Sequence, residues 1–333
     1  MNTNSLEEER KNAEAGKPSS QFNMGIVYFI GDGVEKDLNE AELWFKKAAK
    51  QDYFQSYNLL GLLYQETKNW QKAFDSYQVA VDNDIPEAQC YLGEIYCFVN
   101  SYSEIGIKQD LKKAFALFTK AASRILGGGR NQARAQHLLG EMYINGEGTE
   151  QNFEQGLTWL RRSVAMGEVT GYVGGEYSIG MAYKKGLGVS PDLDKAFKWL
   201  EIAANKNYAE AQLEISIFYQ KGLGNIAIDL NASFSWLVKA AEGGRYVAQR
   251  LLGQHYRLGS EQAKQDGDKA LIWLERAAIQ GDLEAIEWTG KLYLKKENFQ
   301  NAAFMLSIAK KGGSKDAEEL WDKHELWKYG NYE

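Results

Sequence analysis

Apolar, aromatic and small side chains recur along this chain at three- and four-residue intervals, the spacing of one face of an α-helix. The recurrence is itself repeated. Phe22-Asn-Met-Gly-Ile-Val-Tyr28, His137-Leu-Leu-Gly-Glu-Met-Tyr143 and Tyr177-Ser-Ile-Gly-Met-Ala-Tyr183 share an apolar residue, a glycine, two variable residues and a tyrosine. The frame returns at Gly61, Gly93, Gly253 and Gly290, and with serine at Ser216, so eight anchors stand 32 to 47 residues apart. A second frame follows the first. Ala41, Trp44 and Ala48-Ala49 set it; Ala196, Trp199 and Ala203-Ala204, then Ser233, Trp236 and Ala240-Ala241, then Ala270, Trp273 and Ala277-Ala278 repeat it. Weaker copies begin at Ala73, Ala114, Gly156 and Ala302.

Between the frames lie Gly31-Asp-Gly33, Gly146-Glu-Gly148, Gly186-Leu-Gly188 and Gly222-Leu-Gly224. Glycine there supplies a left-handed cap to a first helix. Asp37, Asp110, Asp192 and Asp229 follow and can cap a second. A small anchor lets the two helices approach, with Tyr and Trp expected to fill the space between them. One such pair cannot bury its own apolar face, so pairs must stack.

The array has irregular places. Three insertions cluster between Phe98 and Thr170, and they include Gly127-Gly-Gly129, Gly171 and Gly174-Gly175. Insertions in a stacked array map to loops and can flank a binding surface. They can also form a hinge, here between sub-blocks 1–126 and 130–313 of a single array over 1–313. Residues 314–333 read as a cap. Asp316 to Trp327 is expected to be helical, with Leu320, Trp321 and His324 packing back and Trp327, Tyr329 and Tyr332 forming an aromatic tail.

Composition narrows the function. The 333 residues include 33 glycines but only 3 prolines, which leaves few forced helix breaks. Apolar residues reach 44%, enough for a packed core. The net charge of −6 weighs against nucleic acid as a partner. No run approaches the roughly 18 apolar residues of a membrane span, and Met1 to Ala15 is polar, so a cytoplasmic location is expected. Cys90 and Cys97, seven residues apart on one helix, would stand about 10 Å apart, too far for a mutual disulfide.

With their frames in phase, these units resemble the Sel-1-like repeat family, relatives of the tetratricopeptide repeat. The first unit carries the family pattern in Met24-Gly25, Tyr28, Gly31, Gly33-Val34, Asp37, Ala41, Trp44 and Lys47-Ala48-Ala49. The resemblance covers about residues 13 to 313. It implies an all-α, right-handed α-solenoid superhelix of about eight helix–turn–helix repeats with terminal caps. Units two and eight lack the Gly-x-Gly turn and look closer to tetratricopeptide repeats.

Catalytic patterns are sparse. His137, His255 and His324 lie in different repeats, with no His-Glu-x-x-His, Cys-x-x-Cys, dinucleotide or phosphate-loop motif. No metal site or cofactor is expected. Ser307-Ile-Ala-Lys310 matches the Ser-x-x-Lys of penicillin-binding enzymes without its companion motifs. Cysteine-rich secreted relatives have been linked to β-lactams, but their cysteine framework is missing here. An enzyme or binder acting on β-lactams or cell-wall fragments is therefore the remote alternative.

In the related repeats the first helices line the concave side. Positions six and three before the anchor, and one and four after it, face the groove. Carried onto this chain, they give Phe22, Ile26 and Phe29, then Asn58 and Gln65, then Glu94, Arg134 and His137, then Tyr177 and Lys184, then Arg250 and Arg257. The groove should run from apolar through acidic to basic. The resemblance thus implies a non-catalytic scaffold or adaptor, monomeric alone, that binds a protein or extended peptide. An immunity protein neutralising a bacterial toxin is the second reading.

Overall fold

The computed structural model describes residues 3–97, 106–123 and 129–330. The loop expected after Phe98, the glycines at 127 and 128, and Tyr332 lie outside them. Among the described residues there are eighteen α-helices and no strand. Eight helix pairs follow a leading helix α1 (Thr3–Glu14). The first helices of the pairs are α2 (Pro18–Ile30), α4 (Gln55–Glu66), α6 (Pro86–Cys97), α8 (Gly129–Asn145), α10 (Gly174–Lys185), α12 (Ala209–Lys221), α14 (Tyr246–Leu258) and α16 (Leu283–Lys295). The second helices are α3 (Leu38–Ala49), α5 (Trp70–Asp82), α7 (Leu111–Ala122), α9 (Phe153–Thr170), α11 (Leu193–Asn205), α13 (Leu230–Glu242), α15 (Gly267–Ile279) and α17 (Phe299–Lys311). Helix α18 (Lys315–Lys323) and a 3₁₀ turn (Leu326–Tyr329) close the chain. Contacts divide it into two compact units, Met1–Gly175 and Glu176–Glu333.

The turns form as the sequence dictates. Gly31 caps α2 with φ 77°, and Gly222 caps α12 with φ 64°. The carboxylates of Asp37, Asp110, Asp192 and Asp229 accept backbone N–H groups at the starts of α3, α7, α11 and α13. A further bond closes the unit in every repeat. The N–H of the capping residue donates to the carbonyl of the frame tyrosine, as in Asp37 to Tyr28, Asn69 to Tyr64, Asp192 to Tyr183 and Asn298 to Tyr293.

Packing within a pair turns on the anchor. A Cβ added at Gly25, Gly61, Gly93, Gly140, Gly180, Gly253 or Gly290 would stand 2.3–2.9 Å from Phe45, Tyr77, Phe118, Leu160, Leu200, Leu274 or Leu306. These covering side chains are fully buried. The closest approach is therefore made by the residue after the tryptophan position, not by the tryptophan itself. At the serine anchor, Ser216 Oγ meets Ser233 Oγ at 3.2 Å.

Packing between pairs uses buried glutamines. Gln21, Gln136, Gln212 and Gln249, each four residues before its anchor, donate to Ala13, Ala122, Ala204 and Ala241, carbonyls at the end of the preceding helix. Ala13, Ala204 and Ala241 also accept the N–H of Gly16, Asn207 and Gly244 in the turn that follows, so each amide adds a second bond that ties a first helix to the end of the helix before it.

Two irregular segments extend helices. α8 begins at Gly129, and α9 runs 18 residues to a left-handed cap at Gly171. At the C-terminus Glu325 adopts φ 49° and turns the chain, so Leu326 is fully buried while Trp327 stays 49% exposed. Tyr329 stacks on Phe299 with centroids 5.1 Å apart.

Candidate functional site

The groove positions expected from the sequence lie on the first helices, and none of the twelve is fully exposed. In the first unit, Phe22 packs on Phe45 and Tyr53 at 5.9 and 5.1 Å between centroids, and Phe29 meets Phe45 edge-on at 6.4 Å. Ile26 joins the same cluster. Asn58 is buried, and Gln65 Oε1 accepts the Tyr77 hydroxyl at 2.7 Å. The apolar end is thus largely committed to the core.

Further along, α6 and α8 bring Glu94 and Arg134 together at 2.6 Å. Cys90 Sγ lies 3.7 Å from Glu94 Oε1. Burial pushes the Glu94 carboxyl up to about 7, although the Arg134 guanidinium pulls the other way. Burial likewise raises both thiols, Cys97 to about 11, so neither is a ready thiolate. Both cysteines are free. Nearby, His137 is buried, with Nδ1 2.7 Å from the Tyr172 hydroxyl and Nε2 3.4 Å from Glu141. Tyr172 belongs to the segment after α9, where the sequence shows an insertion.

In the second unit Tyr177 packs on Tyr208 at 5.2 Å, and Lys184 pairs with Glu214 at 2.5 Å. Arg250 reaches Asp282 at 3.0 Å and Glu284 at 2.5 Å, and Gln254 donates to Glu284. The basic character expected from Arg250 is therefore cancelled at its own position. Arg257 instead lies over the Trp288 ring, 3.6 Å from guanidinium carbon to centroid.

A common register underlies these contacts. The residue one after an anchor meets the residue six before the next, as in Glu94–Arg134 and Gln254–Glu284. The residue four after an anchor meets the one two before the next, as in Lys184–Glu214 and Arg257–Trp288. Consecutive first helices are laced by charged and aromatic groups that are themselves half-buried. The sequence reading placed the outgoing residues of this ladder but missed the receiving position two before the anchor, which holds Glu214 and Trp288. A period-matched search for charge complements one repeat apart would have found it. The Ser-x-x-Lys match carries no comparable arrangement: Ser307 Oγ donates to the Phe304 carbonyl and Lys310 faces Glu318.

Stacked helix pairs, buried anchors and a laced first-helix face define an α-solenoid of short helical repeats. The Sel1 repeat model matches residues 18–53, 86–124, 133–168, 174–208, 209–244 and 247–282, and the chain belongs to that family. A crystal structure of a Sel1 repeat protein from Oxalobacter formigenes is 31% identical, with 86% of this chain and 79% of that one covered and a TM-score of 0.59. The Sel1-repeat-containing protein YjcO of Escherichia coli is 27% identical over 60% of this chain and 82% of its own length. Chitin synthase regulatory factor 3 of Schizosaccharomyces pombe is 27% identical over 61% of this chain. That match spans only 22% of the yeast protein, and a match to the Neisseria meningitidis protein NMB1327 spans 50% of its length. No helix among the described residues is long and apolar enough to cross a membrane.

Proposed function

We propose that this chain is a non-catalytic interaction scaffold that binds a protein or extended peptide along the face of its first helices. The observation that carries the reading is the inter-repeat ladder. Ion pairs such as Glu94–Arg134 and Lys184–Glu214 hold half-buried side chains of successive repeats in fixed orientation. A partner meeting such a face finds much of the side-chain ordering cost already met, so modest contacts add up to useful affinity. Membership of the Sel1 family, whose repeats mediate protein interaction, supports the same reading.

The test is affinity capture from the native organism, followed by lysine-reactivity footprinting of the complex. Protection is expected at Lys184, Lys185, Lys221 and Lys295 on first helices. Lys46, Lys112, Lys198 and Lys239 on second helices should keep their free reactivity. Protection confined to the second-helix lysines would overturn the reading.

A further inference from the structure

Within the second unit, the ladder has one rung that differs in kind. Lys184 meets a carboxylate, and Arg250 meets two. Arg257, in the same register as Lys184, meets the face of Trp288. Its Nε is buried without a hydrogen-bond partner, and among the described residues no carboxylate pairs with the guanidinium. Burial disfavours its charge, and among the described residues the Trp288 ring face is what it lies against, not an anion. A cavity of about 650 Å³ opens beside it, lined by Arg257, Leu258, Trp288, Lys291, Lys295 and Lys296 among others. Lys291 already pairs with Glu287 and Asp316, and Lys296 with Asp268. Lys295 has no ion-pair partner among the described residues. The cavity therefore presents two cations that pair with no carboxylate among the described residues, an indole face and one largely exposed apolar side chain, Leu258.

An isolated half-buried cation is costly unless an anion completes it. A guanidinium stacked 3.6 Å from an indole centroid can still offer the N–H groups of its outer nitrogens to a planar carboxylate. We propose that this cavity is a recognition site for an acidic side chain, Asp or Glu, on an extended segment of a protein partner. Arg257 and Lys295 bind the carboxylate, and Trp288 with Leu258 covers the aliphatic part of the same segment. The proposal rests on the scaffold reading and names the chemistry that one end of the face selects.

The experiment titrates the full chain with a blocked hexapeptide of alternating Glu and Ala, and with its Gln counterpart. The readout is the indole N–H resonance of Trp288, assigned with Trp288→Phe. The Glu peptide should shift that resonance saturably and the Gln peptide should not. Arg257→Gln should weaken binding about tenfold or more, the scale of a lost charge-assisted hydrogen bond. Arg257→Lys should fall between, and Lys198→Gln, on the second helix α11 away from this face, should match the parent. Circular dichroism and the urea midpoint of Arg257→Gln exclude misfolding as the cause. Equal shifts from both peptides, parent-like binding by Arg257→Gln, or saturation by inorganic phosphate or an oligonucleotide but not the Glu peptide would each overturn the proposal. Loss of peptide binding with the captured partner still protecting the first helices would remove this site alone. Peptide binding with no first-helix protection would remove the scaffold reading instead.

Discussion

Replacing Gly61 by alanine places a methyl group where the second repeat has no room for it. The added Cβ would stand 2.3 Å from Cε1 and 2.6 Å from both Cδ1 and Cζ of Tyr77. Ordinary carbon contact requires a retreat of about 1 Å. Tyr77 cannot swing away freely: its ring stacks on Tyr91 at 5.3 Å, and its hydroxyl is held by Gln65 at 2.7 Å. Overpacking of this kind costs about 1–3 kcal/mol, and three ring atoms under 3 Å argue for the upper end. Against it stands the helix preference of alanine over glycine, about 1 kcal/mol. The clash wins, for a net loss of about 2 kcal/mol. Hydrogen exchange of the α4 and α5 amides should accelerate about 30-fold. The sign should reverse once the ring is gone. Tyr77→Ala alone leaves a cavity costing about 3–5 kcal/mol. Adding Gly61→Ala to that background should recover about 1 kcal/mol. Gly267→Ala is the matched control, because its Cβ meets nothing within 4 Å. It should gain about 0.4–1 kcal/mol. Slower exchange in Gly61→Ala, or an equal loss with and without the Tyr77 ring, would refute the close-approach argument.

Two further outcomes follow from particular side chains. Leu326→Ala should cost about 2–5 kcal/mol in the C-terminal cap, because the side chain is fully buried, whereas Trp327→Ala should change the urea midpoint little. Glu94, raised from 4.5 to about 7, binds a proton more readily in the folded chain than in the unfolded one. Its stabilising contribution is therefore complete below about pH 4.5 and is lost as pH rises toward 7, a change of order 3 kcal/mol. Glu94→Gln should flatten that slope in thermal melts taken from pH 4.5 to 7.5, and an unchanged slope would locate the titration elsewhere.

What was legible in the sequence is what acts over a few residues. Asp37 and Asp192 cap helices through N–H groups two or three positions away, so composition and spacing sufficed to place them. Gly31 and Gly222 mark helix ends for the same reason. The side chain that covers each anchor was harder to name. Trp44 is the more conspicuous residue, yet Phe45 is the one in contact with Gly25, and only the crossing of the two helices decides between neighbours. Trp327 misled similarly, since the left-handed turn at Glu325 hands the buried position to Leu326. Helix α1 escaped notice because its sequence is dominated by charged residues. Its apolar contacts come from Leu6 and Ala13, with hydrogen bonds from Arg10 to Tyr28 and from Asn23 to Glu9 beside them.

The candidate face divides along the same line. Its register is a property of one repeat, so the sequence located Glu94, Lys184, Arg250 and Arg257. Its electrostatics are a property of two adjacent repeats, which no single unit reveals. Asp282 and Glu284 answer Arg250, and Glu214 answers Lys184. Counting charges along one helix therefore overstates what a partner would feel. The informative positions are those where the complement fails to arrive. Trp288 stands where Glu214 stands two repeats earlier, and an indole can stack on a cation but cannot neutralise it. Under the proposal for Arg257, an indole in place of a carboxylate at that one receiving position is what turns an internal pair into a site. A repeat array can thus vary its specificity by single exchanges at the position two before the anchor, while the glycines, caps and covering side chains keep the stack intact.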